Sequence, residues 1–224
     1  MKPLTEYHLA IFRRHMVEVI DIHFDLQSEE IGRSRMGERL RSALLKVPRH
    51  QFVPFELAAL AYQDRPLPIG FDKTISQPFI AALMIDLLDV QAGDSVLEVG
   101  TGFGYQAALL AELSRHVWSV EVVEEFVEVA QARLDALGYG NVTLRVGDGV
   151  RGWADAAPFD KILVTAAAAA PPARLLEQLS PGGRLVMPLG DAEAQQISLI
   201  EKRADGSLAT LNTIPAKFTQ LETA

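Results

Sequence analysis

A glutamate followed by glycines at alternate positions, Glu98, Gly100, Gly102 and Gly104 in VLEVGTGFGYQ, marks a loop that holds a ligand close to its backbone. Glycine reaches φ values that other residues resist, so such a loop turns tightly and lets a bound molecule approach the main chain. A dinucleotide site calls for G-x-G-x-x-G, where the third glycine lets the next helix pack closely. Position 105 is tyrosine. The G-x-G-x-G form with its preceding acid therefore favours a nucleoside ligand without a pyrophosphate over NAD or FAD.

Two further acids stand where a nucleoside needs them. Glu121 closes the next apolar run, about twenty residues past the glycines, the position from which a carboxylate accepts from ribose hydroxyls. Asp148, in VGDGV, can accept from an exocyclic adenine amine while Gly149 leaves room for the ring. An acid at a strand end is by itself an ordinary cap or turn residue. Three at successive strand ends describe one site.

The elements that must carry these residues are legible downstream of residue 95. SVLEVG, HVWSVE, NVTLRV, DKILVT and GRLVMPLG are short, apolar and rich in β-branched residues, and helical patterns near 105–114, 124–137 and 171–180 separate them. The expected fold is α/β, a Rossmann-like, doubly wound, mostly parallel sheet whose ligand sits at the carboxyl ends of the strands. QQISLIEK and SLATLNTI, joined through Ala204-Asp205-Gly206, predict a closing β-hairpin, and the alanine run 166–170 predicts a strand end entering a turn.

Upstream, Leu40, Ala43, Leu44 and Val47 share one helical face, closed by VPRHQFVP, and residues 77–88 form a second apolar helix. AYQDRPLPIGFDKTISQP, between them, predicts an extended loop. Loops of that length in a compact chain are usually functional or disordered. Residues 1–90 are thus expected to form an added N-terminal helical segment with a substrate-covering loop, and residues 91–224 the ligand-binding core, within one compact unit.

Composition narrows the setting. At 224 residues and 49% hydrophobic, the chain can bury a full core. Its net charge of −8 argues against a broad nucleic-acid surface, which needs a basic face. The cluster Arg33, Arg35, Arg39, Arg41 is expected to be the solvated face of a helix. With no cysteine, disulfides, thiolate catalysis and Cys-ligated zinc are excluded, and His8, His15, His23, His50 and His116 show no metal-ligand spacing. No apolar stretch is long enough for a membrane span, and MKPLTEYHLAIFRRH has no signal-peptide core, so a cytoplasmic protein without membrane partners is expected.

Taken in order, VLEVGTGFGYQAALLAEL, HVWSVE, NVTLRVGDG, APFDKILVTAAA and LSPGGRLVMPLG resemble the successive motifs of class I S-adenosylmethionine-dependent methyltransferases. More narrowly, PLPIG, TISQP, GDG with the nearby GW, and APFD…VTAA resemble the protein-L-isoaspartate O-methyltransferase family, over about residues 47 to 190. The resemblance implies that Gly100, Thr101 and Gly102 lie against the methionine part of S-adenosylmethionine with Glu98 beneath it. It implies that Glu121 holds the ribose, and that Asp148 with Gly149 holds the adenine. Ser76 matches the family's active-site serine, with Thr74 and Ile75 lining the same substrate loop. Ser76 also has an ordinary reading, as the cap of the helix beginning QPFIAALM.

The activity so implied is methyl transfer to the free carboxylate of isoaspartyl residues in damaged proteins or peptides, which starts repair through a succinimide, with S-adenosylhomocysteine as product and no metal. Three segments depart from the family: Lys73 stands before TIS in place of a glutamine, expected to point to solvent beside Asp72; IDIHFDLQSEEIGRSRMGERL is longer than the usual amino-terminal pattern; and AKFTQLETA replaces the usual closing segment. A carboxyl methyltransferase for aspartate in a dedicated peptide, or a non-catalytic nucleoside-binding module, are the alternatives. Oligomeric state is not legible.

Overall fold

The structure, a computed structural model, describes residues 5–223; the first four residues of the amino-terminal segment and Ala224 lie outside the described residues. Helix α1 (Glu6–Leu26) begins with a capping box between Thr5 and His8 and buries Met16, Val17, Ile20 and Phe24 on one face. Short α2 (Ser28–Ile31) and α3 (Glu38–Lys46) follow, and Leu40, Ala43 and Leu44 are the buried face of α3. The arginines around α3 act as ties as well as surface. Arg39 donates to the carbonyls of Val90 and Leu113, Arg33 pairs with Asp86 and Arg41 with Asp21. The expectation of a merely solvated face is corrected accordingly.

VPRHQF folds as a 3-10 turn, Arg49–Phe52. The segment expected as an extended loop instead contains an antiparallel hairpin, β1 (Leu67–Gly70) and β2 (Lys73–Ile75). Phe71 and Asp72 form its two-residue turn with φ of 50° and 55°. Positive φ at both central residues is the type I′ signature, usually met by Asn-Gly, which is why this turn is hard to read from its residues. Helix α4 (Pro78–Leu88) leads into the sheet.

From there strands and helices alternate: β3 (Ser95–Val99), α5 (Tyr105–Leu113), β4 (His116–Glu121), α6 (Glu124–Ala136), β5 (Val142–Val146), β6 (Phe159–Val164), α7 (Ala173–Gln178), β7 (Leu179–Gly190), β8 (Gln195–Lys202) and β9 (Leu208–Ala216). Helix α7 is shorter than the pattern 171–180 predicts, because Pro171-Pro172 delay its start and Leu179 already pairs with Phe159. The seven-stranded sheet runs β5-β4-β3-β6-β7-β8-β9, parallel through β7 and antiparallel in the closing hairpin. Winding reverses at β3, which is flanked by β4 and β6 and buried along its whole length. That reversal opens a crevice at the carboxyl ends of β3, β4 and β6.

Two apolar clusters cover the sheet. The larger runs from Met16 to Ile214 and joins the amino-terminal helices to Val96, Val117, Leu163 and Val186. The smaller packs Trp153 and Leu175 against Leu97, Val99, Val120 and Ile162. Among the described residues no helix is long and apolar enough to cross a membrane, and no group of three or more His, Asp or Glu side chains is placed to hold a metal ion.

Candidate active site

A cavity of about 470 Å³ occupies the crevice, lined by the ends of β3, β4 and β6, the hairpin residues 72–77, and residues 215–222 beyond β9. The glycine loop is drawn tight across its floor. The Gly100 amide donates to the Val120 carbonyl at 2.8 Å and the Thr165 amide to that of Val99 at 2.9 Å. At Gly100, φ is 95° and a Cβ would meet Thr165 Oγ1 at 2.2 Å, so only glycine closes this approach. A Cβ at Gly149 would meet Val99 Cγ1 at 2.3 Å, so the wall there is flat backbone.

Glu121 is buried at the tip of β4. Its Oε2 accepts from the Gly102 amide at 2.9 Å, and Oε1 accepts from the amides of Val122 and Val123 at 2.9 and 3.1 Å. A carboxylate has about four acceptor sites. One remains on Oε2, and the residue lines the cavity.

The other two acids do not reach the cavity wall. Glu98 is wholly buried; its Oε2 shares a short hydrogen bond with Ser119 Oγ, and among the described residues Oε1 has no partner. Burial pushes its carboxyl up to about 8, the bond from Ser119 opposing and the charge of Glu121 adding to the rise. Ser119 Oγ lies 2.6 Å from Thr101 Oγ1, and Thr101 does line the cavity. Asp148 accepts from the Val150 amide at 2.9 Å, capping a 3-10 turn, and lies 3.5 Å from Arg151. Its neighbour Gly149 forms the wall in its place.

Thr74, Ile75 and Ser76 line the same cavity. Ser76 does not cap α4: the N-cap is Gln77, and Asp64 accepts from the Phe79 amide and the Gln77 side chain, each at 2.8 Å. The capping alternative for Ser76 is thereby corrected, and among the described residues no protein group bonds its hydroxyl. Its carbonyl is held at 2.6 Å by Arg49, whose fully buried guanidinium also donates to Ala61 and lies 4.8 Å from the centroid of the Tyr105 ring. Burial lowers the pKa of Arg49 and pushes Tyr105 up to about 12. Among the described residues, Arg49 Nη1, the Tyr105 hydroxyl and Gln106 Nε2 are buried without partners; the tyrosine and the glutamine line the cavity.

Lys73 is turned inward rather than to solvent. It pairs with Glu222, not with Asp72, so it joins the hairpin to the carboxyl-terminal segment. That segment is pinned by reciprocal bonds between Gln195 and Phe218 and between Ala167 and residues 219 and 221. Sequence reasoning missed Arg49, and singled out the closing segment AKFTQLETA only through the resemblance, without the bonds that hold it at the cavity. A lone arginine between prolines carries no sign of burial, and residues 215–222 show no periodicity.

The groups present suit a nucleoside that carries an amino acid. Flat walls at Gly100 and Gly149 admit a ring and a main-chain-like group, Glu121 keeps a free acceptor, and Thr101 offers a hydroxyl.

A family model described as protein-L-isoaspartate(D-aspartate) O-methyltransferase (PCMT) matches residues 25–223. The chain is 46% identical to protein-L-isoaspartate O-methyltransferase 1 of Polaromonas sp. (strain JS666) over 99% of this chain and 94% of that protein. It is 49% identical to protein-L-isoaspartate O-methyltransferase 2 of Syntrophobacter fumaroxidans over 93% of this chain and 85% of that protein. Among solved structures, a protein-L-isoaspartate O-methyltransferase superposes with a TM-score of 0.78 at 27% identity, covering 93% of this chain and 65% of the other. A Plasmodium falciparum protein titled a putative protein-L-isoaspartate O-methyltransferase in complex with S-adenosyl-L-homocysteine has a TM-score of 0.74 at 22% identity, with 84% and 92% covered, and shares the fold.

Proposed function

The chain belongs to the protein-L-isoaspartate(D-aspartate) O-methyltransferase family, and we propose that its cavity transfers a methyl group from S-adenosylmethionine to the free carboxylate of an L-isoaspartyl residue. The observation that carries the site assignment is that Ser76, whose hydroxyl is bonded by no protein group among the described residues, lines the same cavity as Gly100, Thr101 and Gly102.

S-adenosylmethionine supplies a methyl group already activated on a sulfonium. The chain's residues bind and orient. Glu121 accepts from the ribose, Gly149 and its neighbours give the adenine a flat wall, and residues 100–102 take the methionine part. A substrate carboxylate with an ordinary pKa near ~4 is ionised at neutral pH, so no general base is required. Ser76 donates to one carboxylate oxygen and leaves the other free to attack in line. Such orientation is worth roughly 7–11 kcal/mol when it is complete. A neutral donor suits this step, because a cation bonded to the nucleophile would stabilise the ground state more than the transition state. Arg49 keeps to that logic by holding the Ser76 carbonyl from behind.

Methylation turns the isoaspartyl carboxylate into an ester, whose carbonyl the backbone nitrogen can attack with loss of methanol. The neighbouring backbone nitrogen then closes a succinimide in solution, and hydrolysis returns part of it to aspartate. The substrate reaches the cavity as an extended peptide between the hairpin and residues 215–222.

The test is transfer of labelled methyl to two matched peptides, one with isoaspartate and one with aspartate. Label on the isoaspartyl peptide alone is expected. Label on the aspartyl peptide alone, or on neither while the cofactor binds, would replace this substrate with a dedicated one.

A further inference from the structure

Glu98 sits beneath the cofactor loop with no contact to the cavity and no part in the transfer described above. Its carboxyl is nevertheless wired to the cavity wall: Glu98 Oε2 meets Ser119 Oγ, which meets Thr101 Oγ1, and Thr101 lines the cavity. We propose that Glu98, acting through the Ser119 and Thr101 hydroxyls, reads the charge on the bound cofactor, losing its proton to solvent when the sulfonium form is bound and keeping it with the thioether product. The inference rests on the cavity being the S-adenosylmethionine site.

Each hydroxyl has one proton to donate and lone pairs to accept with, so the chain runs in either of two directions. With Glu98 ionised, Thr101 donates to Ser119 and Ser119 to Glu98, and Thr101 presents lone pairs to the cavity. With Glu98 neutral, its O–H donates to Ser119, Ser119 donates to Thr101, and Thr101 presents its proton instead. A cation in the cavity is better served by the first direction and an uncharged thioether does not require it. The proton that leaves Glu98 passes along the two hydroxyls to water in the cavity, so the change is one proton released to solvent for each carboxylate formed.

The surroundings leave Glu98 free to respond. It shares its sheet face with Val96, Ser119 and Leu163, its neighbours in register. Helix α4 carries Asp86, paired with Arg33; helix α5 carries Tyr105, with Arg49 at its ring, and Glu112, paired with Lys46. Lys161 and Arg184 stand toward the opposite ends of the strands, near Asp94 and Glu201. None of these bonds Glu98. Burial, against the bond from Ser119 and with a smaller contribution from the charge of Glu121, raises its carboxyl to about 8. A positive charge lowers it again, and each unit of lowering is worth about tenfold in affinity for the ligand that causes it.

The test is calorimetry of the full chain with S-adenosylmethionine and S-adenosylhomocysteine in buffers of different ionisation enthalpy. Near neutral pH more proton is expected to be released with the sulfonium ligand, and its affinity advantage over the product is expected to grow several-fold as pH rises through the titration of Glu98. Glu98→Gln is expected to equalise the proton counts and flatten that ratio. Ser119→Ala, which keeps the acid and cuts the chain, is expected to shrink the difference and serves if the first variant does not fold. Equal proton counts for the two ligands in the parent, or an undiminished difference in Glu98→Gln, would overturn the inference while leaving the methyltransferase reading intact. Binding of neither ligand would overturn both.

Discussion

The backbone amide of Gly102 donates to the Glu121 carboxylate at 2.9 Å, tying the glycine loop after β3 to the tip of β4. Glu121 thus shapes the loop that lines the cavity and lines it as well. Glu121→Ala is expected to weaken S-adenosylmethionine binding about tenfold to a hundredfold, since a hydrogen bond to a charged group is worth roughly 1.5–3 kcal/mol. Calorimetric affinity unchanged from the parent would remove Glu121 from the site.

Ser76 and Asp64 divide what one serine was expected to do alone. Ser76→Ala is predicted to lower turnover at least several-fold, with cofactor affinity and melting temperature unchanged, because the start of α4 is capped elsewhere. Asp64→Ala is predicted to cost about 1 kcal/mol of stability through the lost cap. Steady-state kinetics and thermal unfolding of the two variants separate the roles. Ser76→Ala with parental turnover would sink the catalytic assignment.

Arg49 gives a sharper structural prediction. Lysine cannot serve both carbonyls that Arg49 serves, so Arg49→Lys leaves one at Ala61 or Ser76 unpaired in a buried place. A loss of roughly 1–3 kcal/mol in denaturant unfolding is expected, together with a fall in turnover as the Ser76 backbone loosens. Parental stability would show that the buried guanidinium is dispensable.

The flat wall at Gly149 can be tested by crowding it. Gly149→Ala places a Cβ against Val99 Cγ1 and is expected to cost roughly 1–3 kcal/mol, in the range of overpacked cores, and to weaken cofactor binding. Val99→Ala in the same chain is expected to restore part of both, read by unfolding and by calorimetry.

Stability should also carry the signature of Glu98. Its carboxyl is raised from 4.5 to about 8 by burial, with Ser119 opposing and Glu121 adding. Between those values the unfolded chain is ionised there and the folded chain is not, so the unfolded state binds fewer protons and stability falls as pH rises. The stabilising contribution is complete below 4.5 and gone above about 8. In ligand-free protein, Glu98→Gln is expected to unfold with a flatter pH profile across that window than the parent. Parallel profiles would mean that Glu98 is ionised when buried.

What the residues announced and what they concealed differ in a physical way. The runs 116–121 and 195–202 match β4 and β8 residue for residue, because short runs of β-branched, aromatic and aliphatic residues ending at turn signals have few other solutions. The glycine loop and Glu121 were legible for the same local reason. The β1–β2 hairpin was not, since its prolines argue against strands and its turn, Phe71-Asp72, lacks the Asn-Gly pair that usually marks one. Burial of Arg49 and the pinning of residues 215–222 by Gln195 arise only from contacts distant in sequence. Glu98 was visible as an acid, but its link to Thr101 depends on the β3–β4 register that sets Ser119 beside it.

The turn at Phe71 and Asp72 bears on how this protein would respond to engineering. Two non-glycine residues held at positive φ store a conformational cost of roughly 1–3 kcal/mol each, in a hairpin whose next residues, Lys73 to Ser76, line the cavity. Replacing the pair by Asn-Gly would relax that cost and is expected to raise the melting temperature. It would also remove the Phe71 ring from its edge-to-face contact with Phe126, which lines the cavity too. An Asn-Gly variant is therefore expected to melt higher than the parent and, with Phe126 deprived of that contact, to turn over peptide more slowly, two readouts that thermal unfolding and steady-state kinetics would give on one protein.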